Sequence, residues 1–277
     1  MEKILIFGPG WLGHKFKDYL YAELTDVDIT DAHAVSDILD RIRPHIVLNA
    51  AGKTGKPNVD WCEDHKLETF ASNVMGPLIL FQECMKRNIF LAHLSSGCVF
   101  DGESPGHAGF TENDPANPVS FYSWTKAQTD ELLKKFPVLI LRIRMPVDKE
   151  PSPRNLITKL ANYTSVIDVE NSITVIDDLM FATQKLIQKR KTGIYNVVNP
   201  GTVKHKDILL WYKEIVDPTH TYTLITKEEL FSKGLAKAGR SNCVLDTTKL
   251  QSEGILLKNA KERVIECLKE YKTYIKN

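Results

Sequence analysis

The chain has 277 residues, 43% of them hydrophobic and 26% charged, with a formal net charge of +1. That length suits one large domain or a domain with an appendage, and the near-neutral charge advertises no broad basic surface for nucleic acid. Five scattered cysteines (62, 84, 98, 243 and 267) form no C-x-x-C pair, so neither a disulfide framework nor a metal site is expected.

The N-terminus "MEKILIFG" lacks a signal-peptide layout, and no apolar run reaches the roughly 18 residues of a membrane helix. A cytoplasmic protein without a membrane partner is expected. In chain order, "KILIFG" (3–8) predicts a buried strand and "WLGHKFKDYLYA" (11–22) a helix. A short second strand must precede "TDVDITD". The helical "AVSDILDRIRP" then leads to strand "HIVLNAAG" (45–52), and "NVMGPLILFQECMKRN" continues as a long helix. Strand "IFLAHLSS" (89–96), helix "SWTKAQTDELLKKF" (123–136), strand "VLILRIR" (138–144) and strand "GIYNVVN" (193–199) follow. Near-continuous apolar runs alternating with helices predict parallel strands covered on both faces.

Beyond residue 148 the pattern loosens into Pro- and charge-rich pieces and short helices. The predicted fold class is α/β: a Rossmann-type doubly wound parallel sheet with a smaller C-terminal substrate-binding lobe. Residues 1–148 form the first domain and 149–277 the smaller lobe. The division is discontinuous, because the strand at 193–199 and the helix before it return to the sheet. Ligands of such sheets sit at the carboxyl ends of the strands.

"FGPGWLGHKF" places Gly8, Gly10 and Gly13 in a G-x-G-x-x-G between a strand and a helix. Glycine allows the tight turn and the close approach of a pyrophosphate, and the helix N-terminus offers N–H donors. This predicts dinucleotide binding by Gly8, Gly10, Trp11, Leu12 and Gly13. An acidic residue after the second strand would favour the ribose hydroxyl of NAD. Asp26 and Asp28 are both available, with Asp28 and Ile29 bordering the adenine, and the spacing leaves NAD and NADP both open.

Tyr122 and Lys126 form Y-x-x-x-K in "FYSWTKAQ". On a helix, i and i+4 share a face. The pair follows a strand that ends in Ser95 and Ser96. With the glycine turn and "NAAG" upstream, the layout resembles the extended short-chain dehydrogenases/reductases. In that chemistry the tyrosine is the acid for carbonyl reduction. Lysine lowers its pKa and holds the nicotinamide ribose, and serine fixes the carbonyl.

The ordered blocks "NAAGKTGKPNVDWCE", "SSGCVFDG", "SFYSWTKA", "LRIRMPVD", "PRNLITKL", "NSITVIDDL", "GIYNVVNPG" and "SNCVLDTTKL" together resemble one family. It is the nucleotide-rhamnose synthase/epimerase-reductases, bifunctional UDP-4-keto-6-deoxyglucose 3,5-epimerases and 4-keto-reductases. The resemblance runs from the glycine turn to about residue 250. It implies Ser96, Tyr122 and Lys126 as the reductase triad. It implies a cofactor bed of the glycine turn, Asn49, Ala50, Ala51 and Gly52, with Asn73 and Met145 beside it. The sugar nucleotide would meet Asn58, Arg144, Arg154, Asn155 and Arg240. NADPH is the implied cofactor, with NADH possible. The turn "GPGWLG" is one residue shorter than the family's usual G-x-x-G-x-x-G, and "LTDVD" carries no cation for a 2′-phosphate.

A lone cysteine beside a strand end is by default a small buried hydrophobe. Here the resemblance gives Cys98 another reading. A ketone at sugar carbon 4 acidifies the hydrogens on carbons 3 and 5, and Ser96 and Tyr122 would already stabilise the resulting oxyanion. A thiolate at Cys98 would be the base, and Lys159 of "LITKL" the acid on the opposite face. The expected substrate is a UDP-linked 4-keto-6-deoxy sugar supplied by a separate 4,6-dehydratase, and a homodimer is expected. Two alternatives remain open at this stage. One is a reductase-only enzyme like dTDP-4-dehydrorhamnose reductase. The other is a non-catalytic NADP-binding subunit like the regulatory subunit of methionine adenosyltransferase.

Overall fold

A computed structural model of the chain describes residues 2–106 and 108–276. The N-terminal half alternates strands and helices: β1 (Ile4–Phe7), α1 (Trp11–Leu20), β2 (Glu23–Thr25), α2 (Ala32–Ile42) and β3 (Ile46–Asn49). Next come α3 (Trp61–Asp64), α4 (Lys66–Phe70), a π-helical turn (Ala71–Met75), α5 (Gly76–Lys86) and β4 (Phe90–Ser96). A 3₁₀ turn (Gly97–Val99), α6 (Phe121–Leu133) and β5 (Leu139–Ile143) follow. The remainder holds β6 (Pro146–Val147), α7 (Leu156–Ala161), β7 (Ser165–Ile167), β8 (Glu170–Asn171), β9 (Thr174–Val175), α8 (Ile176–Gln188) and β10 (Gly193–Asn196). Last are β11 (Val203–Lys204), α9 (His205–Ile215), β12 (Thr223–Ile225), α10 (Lys227–Ser232), α11 (Thr248–Ser252) and α12 (Ala260–Lys276).

Six strands form one parallel sheet in the order β10-β5-β4-β3-β1-β2. The chain's direction of travel reverses between β1 and β3, which opens a crevice at their carboxyl ends. Apolar residues pack on both faces. On one side Ile6, Leu48, Leu94 and Leu141 meet α1 and α8; on the other Leu5, Val47, Leu91 and Ile140 meet α2 and α5. That two-sided burial is why these strands read as unbroken apolar runs. A second cluster, including Val147, Ile157, Leu160, Leu209, Val264 and Leu268, holds the smaller lobe of α7, α9, α12 and short strand pairs.

Local chemistry sets several boundaries. α6 begins at Phe121, two residues before the expected start. Ser120 caps it by accepting the Ser123 N–H at 3.1 Å, and Glu63 accepts the Phe121 N–H at 2.7 Å. The long helix expected from residue 73 is interrupted by the π-helical turn before α5. Such turns carry one extra residue and re-aim side chains. β2 is three residues long, as short as the spacing required.

Candidate active site

A cavity of about 510 Å³ lies at the carboxyl ends of β1, β3, β4 and β5, with α7 and β7 of the smaller lobe as its opposite wall. Gly8 has φ +100°, and a Cβ there would stand 2.4 Å from Ala51 N. Gly13 brings α1 against the turn so closely that a Cβ would meet the Gly8 carbonyl oxygen at 2.0 Å. Gly10 faces open space, and as N-cap it gives α1 no side-chain cap. The first N–H groups of α1 are thus left for a ligand, at the positive end of the helix dipole. Gly10, Trp11 and Leu12 line the cavity, as do Ala50, Ala51 and Gly52.

The Asn49 side chain supports this edge from behind. Its Oδ1 accepts the Ala51 N–H at 3.0 Å and its Nδ2 lies 3.1 Å from His93 Nδ1. Asn73, on the π-helical turn, accepts the Lys53 N–H at 2.8 Å and donates to the Lys53 carbonyl at 2.9 Å and to Thr125 Oγ1 at 3.2 Å. It therefore fastens the loop after β3 to α6 while facing the cavity.

Ser96 ends β4 and caps the 3₁₀ turn, accepting the Cys98 N–H at 3.2 Å. That tight turn lifts Cys98 off the strand end and into the cavity wall, with Tyr122 and Lys126 beside it. Burial, then the nearby Cys98, push the Tyr122 phenol up, while a hydrogen bond with Ser96 pulls the other way. Lys126 donates to the Leu94 carbonyl at 2.8 Å, and burial brings its pKa down to about 8, with Asp130 opposing. The balance on the phenol is upward, opposite to the lysine-lowered value that the resemblance implied.

Lys159 reaches the same cavity from α7. Burial and then the Arg154 charge lower its pKa, and Cys98 raises it. Arg154 donates to Thr54 Oγ1 at 2.7 Å and to the Gly55 carbonyl at 3.1 Å, tying the smaller lobe to the loop after β3. Arg240 is paired through both terminal nitrogens with Asp60, at 2.7 and 2.6 Å. Asn58, Arg144 and Met145 also line the cavity, and Met145 has φ +40° at the turn from β5 to β6.

The geometry is that of a dinucleotide and nucleotide-sugar crevice, and the match to known families is consistent with it. Residues 12–273 match the RmlD substrate binding domain. The chain belongs to that family. A bifunctional dTDP-4-dehydrorhamnose 3,5-epimerase/dTDP-4-dehydrorhamnose reductase from Arabidopsis thaliana is 42% identical over 276 residues, covering 95% of this chain and 91% of the relative. The crystal structure of the L780 UDP-rhamnose synthase from Acanthamoeba polyphaga mimivirus superposes with a TM-score of 0.91 at 34% identity, over 97% of this chain and 99% of that one. A dTDP-4-dehydrorhamnose reductase from Bacillus anthracis in complex with NADP shares the fold, with a TM-score of 0.84 at 22% identity over 100% of this chain and 99% of that one.

Within this member of the RmlD family, Gly8 and Gly13 shape the turn without lining the cavity, and four further expected site residues stand off its wall. Ile29 is core, packed against Gly76. Asp28 lies outside the cavity wall and folds back on Thr30, accepting its N–H at 2.9 Å and its hydroxyl at 2.8 Å. Asn155 is fully buried; it caps α7 and ties it to the Asp148 and Glu150 carbonyls, so it is not free to touch a sugar. Asn49 supports the wall without forming it. One residue that sequence reasoning missed is His205, the first residue of α9. It lines the cavity with its Nε2 unpartnered, and burial followed by the Arg144 charge lowers its pKa to about 4. It stands in no motif, and only the folded position of α9 brings it there.

Proposed function

We propose that the chain is a bifunctional 3,5-epimerase and NADPH-dependent 4-keto-reductase that converts UDP-4-keto-6-deoxyglucose to UDP-L-rhamnose. One observation carries this reading: Cys98 and Lys159 line the same cavity as Ser96, Tyr122 and Lys126. The activities of the Arabidopsis epimerase/reductase and the mimivirus UDP-rhamnose synthase support it. The glycine turn fits a dinucleotide, since Gly10 leaves open the space a Cβ would fill and the α1 N-terminus is uncapped. A bound reduced nicotinamide supplies the hydride for sugar carbon 4.

The residues divide the remaining work. Ser96 accepts the Cys98 N–H and pairs with the Tyr122 phenol, so the two hydroxyls sit side by side to hold the carbon-4 oxygen. Tyr122, kept protonated by burial, donates to the same oxygen and gives it a proton on reduction. Lys126 holds the nicotinamide ribose. Cys98 removes the proton from carbon 5 or carbon 3, and Lys159 returns one on the opposite face. Charge gathers on the carbon-4 oxygen in both reactions, so one set of donors serves both.

Arg154 and Arg240 flank the nucleotide diphosphate, where planar guanidinium groups match phosphate oxygens. A separate 4,6-dehydratase supplies the ketone. A homodimer forms through the long helices flanking the sheet, where Trp124 and Leu132 of α6 and Phe136 just beyond it leave apolar surface exposed. No helix among the described residues is long and apolar enough to cross a membrane. The five free cysteines suit a reducing cytoplasm.

Incubation with UDP-4-keto-6-deoxyglucose and NADPH in deuterated water tests the reading. Deuterium at carbons 3 and 5 of a rhamnose product is expected. Cofactor oxidation without deuterium would leave a reductase alone, and tight NADPH binding without turnover would leave a non-catalytic subunit.

A further inference from the structure

Arg144 was expected to touch the sugar nucleotide, but its guanidinium is already engaged. It emerges from the end of β5 only 3% exposed. Nη1 donates to Cys98 Sγ at 2.8 Å. Nη2 donates to Asn171 Oδ1 at 2.5 Å and to the Ser241 carbonyl. Its backbone N–H donates to Thr174 Oγ1 at 2.9 Å. β8, β9 and the loop before α11 thus clamp one cation against the sulfur.

We propose that Arg144 is a positioning residue for epimerisation, aiming the Cys98 sulfur into the cavity and supplying the fixed counter-charge to its thiolate. This rests on the reading of Cys98 as the base. The argument turns on which cation keeps its charge through a turnover. The titratable and charged groups whose charges act together with that of Cys98 include Arg144, Lys159, Tyr122 and Cys243. Lys159 is the proton donor in this reading, so its charge disappears when it acts. An arginine does not release its proton at working pH. Burial costs the Arg144 cation, but the adjacent Cys98 and Cys243 favour the charged form, and on balance it is held more firmly than usual.

In the step served, a sugar C–H bond breaks, an S–H bond forms and the electron pair moves onto the carbon-4 oxygen. The pair returns to carbon as Lys159 transfers an ammonium proton from the other face, leaving a neutral amine. The thiol then loses its proton to solvent and the amine regains one, which restores both groups. Throughout, the guanidinium stays in place and charged.

The test uses alkylation of Cys98 by iodoacetamide at pH 7.5, with Cys98→Ala as the background. It compares the intact chain with Arg144→Lys, Arg144→Gln and Arg144→Met. Loss of a charge-assisted hydrogen bond predicts a fall of about 10- to 100-fold in the Gln and Met variants. Arg144→Lys should stay within a few-fold. In parallel, the ratio of deuterium incorporation at carbons 3 and 5 to reduction of a pre-epimerised ketone should fall in the Gln and Met variants. It should recover in the Lys variant. Equal alkylation across the series would overturn the proposal, and if the Met variant does not fold, the Lys and Gln pair decides it. Because alkylation needs no substrate, this failure is distinct from an absence of isotope exchange in the unaltered protein, which would sink the epimerase reading itself.

Discussion

The triad helix is fastened to the sheet by a buried ion pair, and breaking it gives a quantitative prediction. Asp130 on α6 accepts from Arg142 Nε on β5 at 2.7 Å, with side chains 0% and 2% exposed. Phe100 stacks on the guanidinium at 5.0 Å. Asp130 Oδ1 and Arg142 Nη1 have no partner, so the pair does not have the full hydrogen bonding that would repay desolvation. Asp130→Asn keeps the shape and removes the charge, leaving Arg142 buried and uncompensated. That costs about 3–5 kcal/mol. At ~2.1 cal/mol/K per residue, unfolding a chain of this length has an entropy near 0.6 kcal/mol/K, so Tm should drop by about 5–9 °C. The double variant Asp130→Leu/Arg142→Met removes both charges and should recover most of that loss. Calorimetry on the single and double variants checks this, and a double variant as unstable as the single would refute the reasoning. There is a functional counterpart. Asp130 raises the Lys126 pKa, so Asp130→Asn should move the alkaline limb of the reductase profile to lower pH.

Other consequences follow from the site. Cys98→Ala should lose deuterium incorporation by about 10²-fold or more, as removal of a general base does, while still reducing a pre-epimerised ketone; mass spectrometry of the product reads both. Gly13→Ala forces a Cβ to within 2.0 Å of the Gly8 carbonyl oxygen; a calorimetric melt should show a loss of about 1–3 kcal/mol, and a fluorescence titration weaker dinucleotide binding. Lys126 has a folded pKa of about 8 against an unfolded value of about 10.4. Between these values the unfolded chain binds a proton that the folded chain does not, so stability rises with pH across that window. The gain is about 3 kcal/mol, fully present above the unfolded value and absent below pH 8. Denaturant titrations from pH 7 to 11 should show that rise relative to Lys126→Met, and parallel curves would contradict it.

What the sequence made legible is what short-range physics dictates. Ile4–Phe7 is buried on both faces and therefore apolar throughout, and Phe90–Leu94 is apolar but for His93 before the strand ends in two serines. The glycine turn is legible because no other residue fits a Cβ-free approach of Gly13 to Gly8. The Tyr122–Lys126 spacing is fixed by one turn of helix. Partner choice across long separations was not legible. Arg144 meets Asn171 and Ser241, 27 and 97 residues away. Arg240 pairs with Asp60, 180 residues away. Asn155 looked free beside Arg154 but is the N-cap of α7, and Ile29 looked like a cofactor neighbour but fills the space left by Gly76. The strands of the smaller lobe are two or three residues long, too short for a periodicity to register.

The protonation of Tyr122 links the two chemistries. The family logic expected lysine to draw the phenol toward phenolate, yet burial and Cys98 push it the other way, and Lys126 points at the Leu94 carbonyl. A protonated phenol is what the reductive direction requires, because the carbon-4 oxygen must leave with a proton. Epimerisation requires the same state for a different reason: a neutral donor stabilises the enolate oxygen without adding a second negative charge beside the Cys98 sulfur. A phenolate at Tyr122 would repel both the enolate and the thiolate. In the proposed function a protonated phenol thus lets one cavity run both reactions, with the fixed cation of Arg144 and the transferable proton of Lys159 dividing the charge needed on the sugar's two faces.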